Sequence, residues 1–377
     1  MKISCTQENL NQGLAITAHI TGKNNNLPIL TNILFKINDK IISLAATNLE
    51  IGITTTIRGK VEADGEFTVD AKLLANYISL LPKERIDLEL DGDSLRIQCA
   101  KQKTKIKTQA AADYPLIPQL KKENPHIINA NSFREAITKV IIAAANSDLR
   151  PEISGVFLNF SGQQLILAAT DSYRLAENKI SVSQNSKDGQ ENKIIAPVKT
   201  LQEISRILSV LKENALEETD NLEIYITDNQ IMFSYGGVDL VSRIIEAQYP
   251  EYQQIIPASY KTKIKFNTGD LIKAVKTSSL FAKSGVYDVK LDFSNPKEVV
   301  ITSSSSQTGE STSIIEAEIN GEGDYIVLNY HYLLDGLQNI GSDSVLMEVN
   351  DKNSMCILRP ESDKDYFYLI MPIRQED

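Results

Sequence analysis

An α+β fold built three times over is what the sequence predicts, and three observations predict it. One order of elements (strand, helix, hairpin, helix, strands) recurs with a period of roughly 125 to 135 residues. The first two copies share Leu-Ala-Ala-Thr at matching positions, 44–47 and 167–170. Both also close alike, on Ala112-Asp113-Tyr114-Pro115 and Ala247-Gln248-Tyr249-Pro250. Proline there ends a strand and begins a connection, which sets the copies at residues 1–122, 123–258 and 259–377.

Each copy opens with a strand (2–5, 126–129 and 263–266) and a helix (7–19, 132–145 and 268–282). Apolar residues three and four apart, such as Phe133, Ile137, Val140 and Ile141, make the helices amphipathic, and Asn, Ser, Thr or Asp near each start supplies a cap. A hairpin with alternating apolar positions follows: 33–37 with 41–47, 155–160 with 165–170, and 289–293 with 299–303. Its turns are Asn38-Asp39-Lys40, Ser161-Gly162-Gln163 and Asn295-Pro296-Lys297. The second helix falls at 71–81, 198–211 and 329–339, and strands including 86–90, 222–226 and 345–349 come after it. Two helices on a largely antiparallel sheet make one copy. The polar stretch 181–193 reads as an exposed loop, and Ser303 to Ser306 as an edge.

Composition agrees with this organisation. A chain of 377 residues is too long for one compact core, and 42% hydrophobic with 23% charged residues excludes disordered, collagenous and disulfide-dense classes. No run of 18 apolar residues occurs, and Met1 to Thr6 pass into Gln7-Glu8-Asn9 without a signal-peptide core, so a cytoplasmic protein without a membrane partner is expected. Cys5, Cys99 and Cys356 stand singly beside apolar stretches, as buried thiols do. The 39 Lys and Arg against 49 Asp and Glu leave −10 overall. On the helices and their flanks the balance reverses: Lys23, Lys72, Lys83, Arg134, Lys139, Lys199, Arg206, Lys212, Lys273, Lys276 and Lys283 face Glu8, Asp70, Glu135, Glu203, Glu213, Asp270 and Asp335, roughly +4. These lysines are either solvated faces of amphipathic helices or a mildly positive surface for phosphates. With no Gly-rich phosphate loop and no recognition-helix motif, any DNA contact would be to the backbone.

Four stretches then follow in order on the threefold frame: Leu27-Pro28-Ile29-Leu30-Thr31-Asn32, Ala169-Thr170-Asp171-Ser172-Tyr173-Arg174-Leu175-Ala176, Tyr249-Pro250-Glu251-Tyr252 and Tyr368-Leu369-Ile370-Met371-Pro372-Ile373-Arg374. In these the chain resembles, over its whole length, the bacterial DNA polymerase III beta subunit family of replication sliding clamps. The resemblance implies three clamp domains per chain and a head-to-tail homodimeric ring around double-stranded DNA, with helices lining the hole. Packing distances agree: at about 8 to 10 Å per helix, six helices close a circle about 18 Å across that the helices themselves fill, whereas twelve leave roughly 25 Å for a duplex. Such a ring holds DNA by topology and needs only weak, sequence-independent contacts.

The resemblance also assigns residues. Lys23, Lys72, Arg150, Lys199, Lys273 and Lys276 would touch DNA, although Asn24 stands where the family often has arginine. Lys101, Lys103, Thr104 and Ile106 of one basic strand, with Leu280, Phe281 and Glu310 of the third copy, would form the dimer interface; the strand reads otherwise as a lysine-protected edge. Ile153, Thr170, Ser172, Tyr173, Arg174, Leu175, Pro250, Ile255, Asn329, Tyr332, Met371, Pro372, Ile373 and Arg374 would form a groove between copies two and three. That groove takes a short peptide from the replicative polymerase, the clamp loader and other clamp-binding-motif proteins. Three departures bear on it: Ser172-Tyr173 where Gly-His is common, Gln254 where a basic residue can stand, and the Gln375-Glu376-Asp377 extension.

No enzyme, cofactor or metal is expected. His19, His126 and His331 fall at different element positions, and Asp171-Ser172 has no histidine motif or nucleophile elbow beside it. Two other readings remain: a metal-dependent nuclease, which would cluster carboxylates in one concave pocket, and a three-domain scaffold without a basic lumen or ring closure.

Overall fold

The computed structural model describes residues 1–22, 27–147, 149–184, 191–214 and 220–374 and resolves into two compact units. One holds Met1–Asn131, Ser183–Lys187 and Lys199–Ile244; the other holds Ser132–Val182, Asp188–Val198 and Ile245–Asp377. The described helices are α1 (Gln7–Thr17), α2 (Ala71–Ser79), α3 (Ala130–Ile141), α4 (Val198–Asn214), α5 (Thr268–Ser279) and α6 (Tyr330–Gln338). Side chains just outside four of them accept free N–H groups of the first turn: Thr6 from Asn9, Asp70 from Leu73, Asn267 from Asp270 and Asn329 from His331.

The first helix of each copy ends earlier than its apolar spacing suggests, and α3 begins at Ala130 rather than Ser132. A short 3₁₀ turn, Ala18–Ile20, takes over from α1. After α3, Ala143 N–H donates to Val140 and Ala144 N–H to Ile141; after α5, Phe281 and Ala282 do the same to Ser278 and Ser279. The apolar period thus continues through three residues per turn, where bonding has tightened from i−4 to i−3.

Antiparallel pairing joins the copies, and it follows one rule in both units. In the first, strand Ile51–Ile57 of copy one pairs with Val238–Arg243 of copy two, with Ile53 opposite Leu240. In the second, Arg174–Ser181 of copy two pairs with Tyr366–Ile370 of copy three, with Ala176 opposite Tyr368. The strand after a copy's hairpin pairs with the last strand of the next copy. Two strands in these roles keep an open side. Gly309–Glu316, after the hairpin of copy three, pairs only with Glu298–Ser305 among the described strands. Gln102–Gln109, the last strand of copy one, pairs with Ser94–Cys99 along one side and on the other only through Thr108 and Gln109.

These pairings correct one expectation. Ser303 to Ser306 are not an edge, because Ser303, Ser304 and Ser305 lie opposite Ser311, Glu310 and Gly309, and the edge is the strand Gly309–Glu316 beyond them. Of the expected loop 181–193, Ser181 closes a strand, Gln184 bridges to Ile127, residues 185–190 lie outside the described residues, and Asn192–Pro197 is a strand.

The core is aliphatic with stacked aromatics, as in Phe35 against Phe67 at 4.9 Å. All three cysteines are buried, and burial pushes the Cys5 thiol up to about 12. Gly336 of α6 lies directly against the fully buried Tyr368 ring, so a Cβ there would overlap the ring. Gly336→Ala is expected to lower stability by about 1–3 kcal/mol, measured as a fall in the thermal midpoint.

Candidate functional site

Asp171, Ser172 and Tyr173 form the turn between strands Gln164–Thr170 and Arg174–Ser181. Ser172 has φ +80°, a conformation that favours glycine. Side chains pin it there. Thr170 Oγ1 accepts the Ser172 N–H at 3.1 Å, and Asp171 Oδ1 accepts those of Tyr173 and Arg174 at 2.9 and 3.0 Å. Arg174 is heavily engaged: Nε donates to Asp171 at 2.9 Å, Nη1 to Asp335 at 2.5 Å and to the Tyr368 hydroxyl at 3.4 Å, and the guanidinium lies 4.5 Å over Tyr332. Burial works against its charge, yet Tyr368, Asp335 and Asp171 outweigh it and raise the pKa. The side chain holds the wall together and is only 14% exposed.

The tail closes the same region. Met371 N–H donates to Tyr173 and Ile373 N–H to Val327, both at 2.8 Å. Beneath it Leu175, Tyr249, Tyr252, Ile357 and Leu369 pack together, with Met371 and Ile256 against them. Tyr252 donates to the buried Glu177 carboxylate at 2.5 Å. Ile153 is buried; Tyr173 and Ile255 are exposed at 63% and 49%, so large apolar side chains meet water here. Thr170, Asn329, Tyr332, Pro372 and Ile373 are half-buried, and Ser172, Pro250 and Arg374 exposed. All fourteen residues expected to form the groove lie in the second unit. Asp171, Asp335 and Tyr368, which sequence reasoning did not assign to this site, hold Arg174 in place.

The cations separate into free and engaged. Lys72 on α2, Lys199 on α4, and Lys273 and Lys276 on α5 are exposed, with Asp270 3.5 Å from Lys273. Arg150 donates to Glu152 at 3.1 Å and to Ser172 Oγ at 2.7 Å, so it sits on the turn that carries Tyr173. Lys23 lies outside the described residues, as do Gln375, Glu376 and Asp377. Several members of the helical excess are engaged: Arg206 binds Glu203 and the carbonyls of Ala15 and Ile16 at the end of α1, Lys139 pairs with Asp363 at 3.1 Å, Lys83 with Glu8 at 3.1 Å, and Lys212 donates to Asn131 at 2.9 Å. The positive helical surface is therefore weaker than residue counting suggests.

Beside the open strand of copy one is a cavity of about 430 Å³ lined by Asp70, Leu73, Tyr77, Thr104, Lys105, Ile106 and Lys107. Leu73 and Leu80 are exposed at 54% and 82%, off the stripe of Ala71, Leu74 and Ile78 that α2 buries. In the other unit Leu280, at the end of α5, is exposed at 73%, with Phe281 half-buried beside it. Among the described residues no group of three or more His, Cys, Asp or Glu could hold a metal ion, the arrangement a metal-dependent nuclease would need. No described helix is long and apolar enough to cross a membrane.

Comparison with known proteins agrees across the chain. Residues 1–118, 127–251 and 253–374 match the N-terminal, central and C-terminal domains of the DNA polymerase III beta subunit. The chain is 27% identical to a beta sliding clamp of Synechocystis sp. over 99% of both chains, and 28% identical to one of Staphylococcus epidermidis over 92% of both. It superposes on the Thermotoga maritima DNA polymerase III beta subunit with a TM-score of 0.90, at 26% identity and complete coverage of both chains. The Pseudomonas aeruginosa subunit, at 24% identity and a TM-score of 0.91 over both full chains, shares the fold.

Proposed function

The chain belongs to the bacterial DNA polymerase III beta subunit family, and on that premise we propose how this DNA sliding clamp is assembled and used. It is a processivity factor and not an enzyme. Two chains join head to tail, each contributing clamp domains 1–122, 123–258 and 259–377, into a cytoplasmic ring with α1 to α6 of each chain lining the hole. Lys72, Arg150, Lys199, Lys273 and Lys276, with Lys23, meet phosphates weakly enough to let the ring slide. The groove around Tyr173, Tyr332 and Met371 tethers the replicative polymerase, clamp loader and other proteins carrying a short clamp-binding peptide.

The observation that carries the ring is the edge rule. Copy one joins copy two, and copy two joins copy three, through the same two strands at the same rung, Ile53 opposite Leu240 and Ala176 opposite Tyr368. Following the hairpin registers, the corresponding positions on the two open strands are Ser311 and Thr104. A second chain that obeys the rule sets Ser311 against Thr104, Gly309 against Ile106 and Glu310 against Lys105. Leu280 and Phe281 then have an apolar destination in the cavity walled by Leu73, Tyr77 and Ile106. Different surfaces meet, so the contact is heterologous and closes only as a ring.

A charge swap tests this register. Lys105→Glu, which also faces Asp91 at 3.3 Å, and Glu310→Lys are each expected to weaken the dimer by about tenfold, and the double variant to recover most of it. Two single losses that simply add would reject Lys105 and Glu310 as partners.

A further inference from the structure

The turn at Ser172 carries a feature that glycine could not supply. Its backbone conformation is one glycine adopts freely, yet the side chain present is a hydroxyl, and that hydroxyl accepts a hydrogen bond from Arg150 Nη1 at 2.7 Å. Glu152 takes Arg150 Nε at 3.1 Å, so the guanidinium is gripped at two points, and among the described residues Nη2 has no partner. Arg150 remains 52% exposed. Arg174, the other cation of this turn, is held by Asp171 and Asp335 and its side chain is only 14% exposed, so it is less open to a further carboxylate than Arg150.

We propose that Ser172 is a positioning residue that sets the charge preference of the groove: it draws the Arg150 guanidinium onto the rim, where it receives a carboxylate side chain of the bound peptide. The inference rests on the peptide-groove reading and adds to it a specificity that a glycine at this position would lack. A guanidinium held in place loses less freedom when it forms paired N–H bonds to a carboxylate, so the preference comes from pre-organisation as well as charge.

The test uses the full-length protein and fluorescent extended peptides ending in two hydrophobic residues. Glu or Gln is placed in turn at each of the positions before that end, and affinity is read by anisotropy. Wild-type protein is expected to favour Glu over Gln by about three- to tenfold at one position, less at high salt. Ser172→Gly, which keeps the backbone conformation and should match wild type in thermal midpoint, is expected to lose most of that preference, and Arg150→Gln all of it. An equal preference in wild type and Ser172→Gly overturns the proposal. So does an Arg150→Gln variant that keeps the preference, whatever its effect on retention by DNA. Failure of every peptide to bind wild-type protein would instead overturn the groove itself, and the proposal with it.

Discussion

Leu280→Asp yields a folded monomer. The side chain is 73% exposed in the single chain, so its replacement costs the fold little, and the effect falls on the contact between chains. Burying a leucine is worth about 1.5–3 kcal/mol, and a ring of two chains has two such contacts. Stranding a carboxylate against Leu73, Tyr77 and Ile106 adds to the loss at each. The dimer should weaken by about a thousandfold or more, since every 1.4 kcal/mol is roughly tenfold. Light scattering at micromolar concentration is expected to return the 41.9 kDa chain mass for the variant and twice that for wild type. A dimeric variant would place the interface elsewhere.

Arg174→Met separates the groove from the ring. Removing the guanidinium leaves the Asp171 and Asp335 carboxylates facing each other's field without their shared cation, in a side-chain environment where Arg174 itself is only 14% exposed. Breaking a buried pair this way costs about 3–5 kcal/mol, moderated here because Asp335 is 44% exposed. The turn that presents Tyr173 loses its brace, so peptide affinity should fall by more than about tenfold while the dimer mass stays unchanged. Met371→Ala, which removes apolar surface and keeps the Met371 N–H bond to Tyr173, should weaken peptide binding without lowering stability as far. Unchanged affinity in both variants would remove the groove from the account.

Much of the fold was legible in the sequence because its signals are local. Caps such as Asp70 and Asn267, the turn at Asp39 and Lys40 with positive φ at both, and the alternation of Leu165 and Leu167 all act within a few residues. The helix ends were misjudged because apolar spacing survives the change from i−4 to i−3 bonding. The serine run was misjudged because composition says nothing about what pairs on its far side, here Gly309–Glu316. The groove's residues were named from resemblance, but its internal logic was not legible. Asp335 meets Arg174 from 161 positions away and Tyr368 from 194, and no periodicity encodes such a meeting. Leu73 and Leu80 did leave a trace, as apolar residues off the buried stripe of α2.

The central claim is that the protein holds DNA because it surrounds it. The most direct measurement loads wild-type protein onto a nicked circular duplex with a clamp loader, removes free protein by gel filtration, and cuts the circle once. Retention on the circle for many minutes in moderate salt, followed by prompt loss from the linear product and recovery of retention when its ends are blocked by bound protein, is the predicted result. Equal dissociation from circle and open-ended linear DNA would contradict it.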